Sequence, residues 1–379
     1  MNAENSMNAN FFSGRHLCLR FLSACKIGRS LRILLPILAV SFAVVARGQY
    51  PGYLSGPAGS PMTPPGVVVK VPASPLLSGV PDSRQRMQNA LAAPAVTHKA
   101  LASTNYSFVN FNIPNAAYVE PTAVNNNEVV AGYYADTSNV THGFVWQQGT
   151  LQIIDYPGAL DTAFTGINNR GVLVGTYEDE NFATYTVTYS LADASWSVLP
   201  NVPGGWQEEF EIAGINDDGV VIGCAAEFGT LSWIWHPDSQ TFSYFTAPAA
   251  SEASTCAYGV NGKRNAVGTF SVAYSSSQLL FLKDRDEFTS ISLPSSLQGT
   301  MFGPYGLNIN DTIVGTYFTG SFTTVSGFIR YRNGAFVVVN QPGTDQTYLT
   351  GINDFGVLVG DTYNSTTGAF PGFIAYPVK

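Results

Sequence analysis

Short apolar runs separated by turns rich in Asn and Gly repeat along the chain from residue 105 onward. The clearest anchor is an apolar residue followed by Asn, with Gly seven residues after that Asn. Six copies occur at spacings of 43, 48, 45, 47 and 45 residues, and their anchors are Asn125, Asn168, Asn216, Asn261, Asn308 and Asn353. A near-constant period in this range is typical of β-propeller blades or solenoid units.

Each copy is predicted to contain four short strands. In the second copy we expect strands over 162–167, 172–177, 184–189 and 196–199, with a turn of Asn-Asn-Arg-Gly between the first two. The second strand is continuously apolar, which indicates burial on both of its faces. Four antiparallel strands without any helical periodicity match a propeller blade.

The two ends of the repeat region indicate how the ring closes. The sixth copy supplies three strands, expected over 348–352, 356–363 and 371–376. Residues 106–114 precede the first copy and resemble the fourth strands of other copies, so they should complete blade six. The sequence therefore predicts an all-β, six-bladed β-propeller over 105–379, with four antiparallel strands per blade and an N-terminal strand completing the last blade.

The first 104 residues have a different composition. An uncharged apolar run at 33–46 follows the basic residues Lys26, Arg29 and Arg32 and is itself followed by small residues typical of a cleavage site. This pattern predicts a secretory signal peptide over 1–48. The run of 14 is short for a membrane span, which needs about 20 apolar residues. Residues 49–104 hold nine of the 22 prolines and are predicted to form a disordered linker. We therefore expect a secreted protein without a transmembrane span in the mature chain.

Charge narrows the range of partners. From residue 105 the chain carries eight basic and 24 acidic residues, a net charge of −16. Such a surface repels phosphate backbones, so we expect no binding to nucleic acid or to anionic lipid. Cationic ligands, neutral glycans and metal ions remain compatible with it. We expect a monomer.

Two cysteines remain in the predicted mature chain. Cys224 ends the second strand of the third copy, and Cys256 begins the first strand of the fourth. Both positions fall at the same end of adjacent blades, and an even pair in an oxidising compartment suggests a disulfide. Whether the pair is bonded depends on the distance between the two backbones.

Several segments resemble a known family. The chain resembles the HAF-type extracellular repeat proteins of bacteria in the segments 153–180 and 338–363 and in Thr-His-Gly-Phe-Val-Trp at 141–146. The resemblance covers 105–379, although the His-Gly-Phe element is complete only at 142–144. It implies a bacterial, exported repeat protein and no established activity.

The candidate binding residues follow from propeller geometry. Loops after strand two and after strand four lie on one face of a propeller, and strand two ends in an aromatic residue in four copies. Aromatic rings with acids can hold sugars, whereas the alternative is that the rings pack between blades and the acids are solvated. The candidates are Tyr134, Asp136, His142, Tyr177, Glu178, Asp179, Trp206, Glu227, Phe270 and Tyr317.

No pattern of a known catalytic or cofactor site is present. We find no nucleophile elbow, phosphate-binding glycine loop or zinc-ligand spacing, and we predict no cofactor and no metal. The leading hypothesis is a binding module at the cell surface, for glycans, another envelope component or a protein partner. The alternatives are a polysaccharide-active hydrolase or lyase that uses loop carboxylates, and a structural matrix protein without a small ligand.

Overall fold

The computed structural model describes residues 101–103, 106–202, 210–225, 231–248, 255–271, 278–294, 297, 299–319 and 324–378. These residues form strands, turns and loops, with no helix among them. Accordingly, no helix in this part of the chain is long and apolar enough to cross a membrane. The predicted signal peptide lies outside the described residues, as do the linker up to residue 100 and the candidates Trp206 and Glu227.

Two short strands come before the first blade, and the first three blades then follow in chain order. The leading strands are β1 (Leu101–Ser103) and β2 (Tyr106–Phe111). Blade one contains β3 (Ala116–Val124), β4 (Val130–Asp136), β5 (Thr141–Gln147) and β6 (Thr150–Ile153). Blade two contains β7 (Asp161–Ile167), β8 (Val172–Glu178), β9 (Thr184–Ser190) and β10 (Ser195–Val198). Blade three contains β11 (Phe210–Ile215), β12 (Val221–Ala225), β13 (Leu231–His236) and β14 (Thr241–Phe245).

The remaining blades repeat this arrangement. Blade four contains β15 (Thr255–Val260), β16 (Ala266–Ser271), β17 (Gln278–Asp284) and β18 (Glu287–Ile291). Blade five contains β19 (Gly299–Leu307), β20 (Ile313–Thr319), β21 (Thr324–Arg330) and β22 (Phe336–Val339). Blade six contains β23 (Gln346–Ile352), β24 (Leu358–Tyr363) and β25 (Gly372–Pro377).

The N-terminal strand closes the ring as predicted. Strand β2 pairs antiparallel with β25 and completes the order β2-β25-β24-β23 in blade six. In the other blades consecutive strands pair antiparallel in chain order. The six-bladed, all-β propeller is thereby confirmed. Strand β1 pairs parallel with β22 and adds a fifth strand to blade five, within the range predicted as linker.

The antiparallel order gives the propeller two distinct ends. We call the end with the turns between strands one and two and between strands three and four the turn face. The opposite end, with the loops between strands two and three and the connections between blades, is the loop face.

The repeated glycine is required where strands one and two approach each other. A Cβ atom on Gly175 would collide with the backbone oxygen of Ala163, and one on Gly360 would collide with that of Tyr348. A large side chain from strand three fills the space beside this glycine in most blades. These side chains, which form the centre of the packing, include Phe144, Trp233, Phe281, Phe328 and Phe373.

The anchor asparagines hold both their own turn and the neighbouring blade. In blade one, Oδ1 of Asn125 accepts from the N–H groups of Asn127 and Val129, each at 3.0 Å. Its Nδ2 donates to the carbonyl oxygen of Asn168 in blade two at 3.1 Å. The same bond recurs around the axis until Asn353 donates to the carbonyl oxygen of Asn125 at 3.1 Å. A closed ring of six buried amides therefore joins the blades.

A covalent link joins blades three and four. Cys224 in β12 and Cys256 in β15 form a disulfide with a Cα–Cα distance of 5.1 Å. Both residues are buried near the loop face, where the two blades meet.

Candidate functional site

One group of candidates meets at the loop face of blade one. The rings of Tyr134 and His142 stack with centroids 5.0 Å apart. Nδ1 of His142 lies 2.8 Å from Oδ2 of Asp155, and its Nε2 lies 3.9 Å from Oδ2 of Asp136. The imidazole is therefore placed between two carboxylates and against a phenol ring.

A second group meets at the loop face of blade two. Tyr177 stacks on Tyr156 with centroids 3.8 Å apart and an interplanar angle of 3°. Its ring also lies 5.0 Å from that of Tyr185, at an angle of 18°. The hydroxyl of Tyr185 donates to Oδ2 of Asp179 at 3.3 Å. Three tyrosines and a carboxylate thus form a second cluster.

The two clusters form one surface because Asp155 and Tyr156 are consecutive residues of the connection between the blades. A hydrogen bond from the N–H of Tyr156 to Oγ1 of Thr162, at 3.0 Å, holds this connection in place. We call the combined region the acid–tyrosine surface. Its members are Tyr134, Asp136, His142, Asp155, Tyr156, Tyr177, Asp179 and Tyr185.

The loops of blades one and two position their carboxylates in the same way. Oδ1 of Asp136 accepts from the N–H groups of Ser138 and Val140, at 2.7 and 2.9 Å. Oδ1 of Asp179 accepts from Asn181 and Ala183, each at 2.9 Å. In each blade one carboxylate oxygen therefore holds the loop, while the other faces an aromatic side chain. An Asp carboxylate that accepts hydrogen bonds from the backbone N–H groups after it commonly fixes a tight turn.

Burial, hydrogen bonds and neighbouring carboxylates shift the pKa values of the ionisable groups on this surface. Burial raises the pKa of Tyr134, with smaller contributions from Asp155 and Asp136. Burial, followed by the interaction with Tyr156, raises the pKa of Tyr177 to about 12. The neighbouring Asp179 carboxylate raises the pKa of Tyr185. The hydrogen bond from the Ala183 backbone is the main reason that the pKa of Asp179 is lowered. At neutral pH the phenols are therefore protonated beside a charged Asp179.

Acidic side chains dominate this part of the loop face. Besides Asp136, Asp155 and Asp179, it carries the acidic residues Asp161, Glu178 and Glu180. Within the described residues of blades one and two, no lysine or arginine lies at this face, because Arg170 occupies the turn face. The surface can accept hydrogen bonds from hydroxyl or amino groups, and it disfavours phosphate.

Two of the predicted binding residues are packing residues. Phe270 is 0 % exposed and contacts a cluster that includes Ala247 and Phe281. Tyr317 is 4 % exposed, and burial raises its pKa. Neighbouring side chains cover both rings almost entirely, as the packing alternative expects.

Sequence reasoning missed three members of the surface, namely Asp155, Tyr156 and Tyr185. The first two lie in the connection after strand four, which the topology places beside the loop after strand two. Tyr185 lies directly opposite Tyr177 in the pairing of β8 with β9. Glu178 ends β8, and its carbonyl oxygen accepts from the N–H of Leu160. Within the described residues, no group of three or more His, Cys, Asp or Glu side chains is arranged to hold a metal ion.

Searches against protein-family models and against curated proteins find no match. Among solved structures, the chain is similar to SapL1 lectin in complex with alpha methyl fucoside, with a TM-score of 0.47 and 12 % identity over 69 % of this chain and 94 % of that one. It is also similar to a putative TolB from Agrobacterium tumefaciens, with a TM-score of 0.46 and 11 % identity over 73 % of this chain and 100 % of that one. TolB from Acinetobacter baumannii is similar with a TM-score of 0.40 and 12 % identity, over 78 % of this chain and 71 % of that one. These similarities concern the fold alone.

Proposed function

We propose that the protein is a binding module that holds a glycan on the acid–tyrosine surface. The observation that supports this is the continuity of the two clusters through Asp155 and Tyr156, which gives neighbouring blades one combined aromatic and acidic surface. Sugars present both C–H faces, which pack on aromatic rings, and hydroxyl groups, which donate to carboxylates.

Exposed apolar side chains flank the same surface. Leu160, in the connection between blades one and two, is 41 % exposed. Phe182, in the loop between β8 and β9, is 58 % exposed. Together with the half-buried tyrosines they extend the area on which a sugar ring can pack, while Asp155 and Asp179 supply hydrogen-bond acceptors. The arrangement fits a shallow surface site rather than a deep cleft.

We also propose that the protein is exported and acts at the cell surface as a member of the HAF-type repeat family. The predicted signal peptide and the repeat motifs support this assignment. The disulfide between Cys224 and Cys256 fits an oxidising compartment.

The test is a glycan array with the purified full chain, with and without a chelator. We expect specific binding, at least tenfold weaker for Tyr185→Ala and for Asp155→Asn. Tyr331→Ala is the matched control, because Tyr331 is a tyrosine 39 % exposed in a turn of blade five. A blank array, or equal binding by all variants, would contradict the proposal and favour a structural role. Release of new reducing ends from a bound glycan would instead identify a hydrolase.

A further inference from the structure

A pocket lies on the propeller axis at the turn face, the end opposite the acid–tyrosine surface. It has a volume of about 440 Å³, including space at its open mouth. Each blade contributes three consecutive residues centred on its anchor asparagine. The residues before the anchors are aliphatic in all six blades, and they are Val124, Ile167, Ile215, Val260, Leu307 and Ile352. The residues after the anchors are Asn126, Asn169, Asp217, Gly262, Ile309 and Asp354.

The residues after the anchors form a second set of hydrogen bonds between blades. The N–H of Asn126 donates to Oδ1 of Asn169 at 2.7 Å, and the N–H of Asn169 donates to Oδ1 of Asp217 at 2.8 Å. On the other side, the N–H of Ile309 donates to Oδ1 of Asp354 at 2.8 Å. The N–H of Asp354 donates to Oδ1 of Asn126 at 3.0 Å. In four blades the backbone therefore uses an oxygen carried by the next blade.

This second ring is interrupted at blades three and four. The residue placed to receive the N–H of Asp217 is Gly262, and the residue placed to receive the N–H of Gly262 is Ile309. Neither side chain carries an oxygen. Within the described residues, these two N–H groups have no acceptor in the protein. Gly262 is exposed and Asp217 is half-buried, so the pair is open to the pocket.

We propose that this gap binds a neutral polyhydroxyl ligand, either a sugar ring or a linear polyol. A hydroxyl oxygen can accept from the N–H of Asp217 or Gly262, and its own hydrogen can go to a carboxylate. The carboxylates available at the mouth are those of Asp217 and Asp354. Each of their oxygens accepts one hydrogen bond, from Asn169, Asn126 or Ile309, and keeps a second acceptor site. The aliphatic residues before the anchors offer contact to the C–H groups.

Other ligand classes satisfy only part of this site. Phosphate or a carboxylate could accept from the two N–H groups, but it would meet the charges of Asp217 and Asp354. The nearby cations are already paired, since Lys263 lies 3.7 Å from Asp311 and Arg264 lies 3.2 Å from Asp218. An ammonium group could bind the carboxylates but has no lone pair to accept from the N–H groups. Hydroxyl groups both donate and accept.

The test measures binding of glucose and of sorbitol to the full chain by saturation-transfer NMR and calorimetry. Inorganic phosphate and putrescine serve as the anionic and cationic comparison probes. We expect one or both neutral compounds to bind in preference to the two ions, and the comparison of glucose with sorbitol distinguishes a ring from a linear polyol. No binding of either neutral compound, or tighter binding of phosphate or putrescine, would overturn the proposal.

The decisive variant is Gly262→Asn, which supplies the missing oxygen to the N–H of Asp217, as Asn169 does for Asn126. A Cβ atom at position 262 would lie 3.2 Å from Cδ1 of Ile309, a side-chain end that can move. We expect at least a tenfold loss of affinity for the polyol and a higher melting temperature. Unchanged affinity in a folded Gly262→Asn protein would contradict the proposal.

Two further variants separate this site from the glycan surface and from folding defects. Ile309→Asn supplies an acceptor to the N–H of Gly262, and it should weaken polyol binding independently of Gly262→Asn. Tyr185→Ala should leave polyol binding unchanged, since Tyr185 lies at the opposite end. Conversely, Gly262→Asn should leave binding on the glycan array unchanged. The two proposals can therefore fail separately.

Discussion

Blades one and two differ from blades four and five at a position that the fold makes equivalent. Near the end of strand two, these four blades carry Tyr134, Tyr177, Phe270 and Tyr317 at equivalent positions. The first two rings are half-buried, whereas Phe270 is 0 % and Tyr317 is 4 % exposed. A shared position in the repeat therefore places an aromatic ring between blades, and other residues decide whether any of it reaches solvent.

The residue opposite each ring in strand three distinguishes blades one and two from blade four. Tyr134 pairs with His142 and Tyr177 pairs with Tyr185, so both rings have polar, hydrogen-bonding neighbours. Phe270 pairs with Leu279, which packs against the same core cluster. In blade five Tyr317 pairs with the polar Ser326 and is still only 4 % exposed. The lesson is that a repeated aromatic indicates the fold, and that a polar partner in strand three accompanies the half-exposed rings without being enough to expose one.

The largest expected effect concerns stability at the buried position. Phe270→Ala removes a fully buried ring and should lower the free energy of unfolding by about 3 to 5 kcal/mol. Tyr185→Ala, at a half-buried position, should cost about 1 to 2 kcal/mol. Urea unfolding of both variants measures the contrast. Equal losses would show that the two regions are packed alike and would break the comparison.

The junction between blades three and four should be the next most sensitive. Strand two of blade three ends in Cys224 and Ala225. Ala225 stands where blades one, two, four and five have the aromatic ring, and the disulfide of the preceding Cys224 joins blade three to blade four at this end. For a separation of 32 residues, the disulfide should stabilise the fold by about 3 to 4 kcal/mol. Thermal unfolding with and without reductant measures this. The control is the double variant with Cys224→Ser and Cys256→Ser, whose melting temperature should not change when reductant is added. If the count of free thiols in the wild type does not rise on reduction, the two cysteines are not bonded.

A substitution that converts blade two toward blade four sharpens the comparison. Tyr185→Leu places beside Tyr177 the residue type that Leu279 places beside Phe270. We expect about a tenfold loss of glycan affinity, or about 1.4 kcal/mol. The change in stability should stay below about 1 kcal/mol, because Leu keeps most of the apolar contact. Full binding by this variant would show that the polar partner has no part in recognition.

The strands and the closure could be predicted because their signals are local. The repeat pattern predicted the second strand of blade two over 172–177, and the structure has it as β8, Val172–Glu178. Residues 106–114, which precede the first copy, contain β2. The non-covalent side-chain contacts between blades could not be predicted in this way. The burial of Phe270 depends on Ile222 of blade three and on Ala247 in the connection between the blades, and the stacking of Tyr177 depends on Tyr156 in the preceding connection. The sequence pattern shows which end of a blade a residue occupies, but not what covers it.

The smallest expected effect concerns the titration of Tyr177, whose half-buried ring is stacked on Tyr156. Burial and the contact with Tyr156 raise the pKa of Tyr177 to about 12, above the value of about 10 for an unfolded chain. The folded state therefore favours the neutral phenol, and this contribution to stability is complete below about pH 10 and is lost as the pH rises through about 12.

In an ultraviolet titration, Tyr177→Phe should remove one late-titrating phenol, and the free energy of unfolding should fall less steeply between about pH 10 and 12 than in the wild type. Tyr106→Phe is the matched control, because burial also raises the pKa of Tyr106 to about 12, although it lies in blade six. Each substitution should remove a different phenol and leave the other. If Tyr177 instead titrates as an exposed tyrosine does, its ring is not held under Tyr156, and the stacked cluster that distinguishes blade two from blade four is absent.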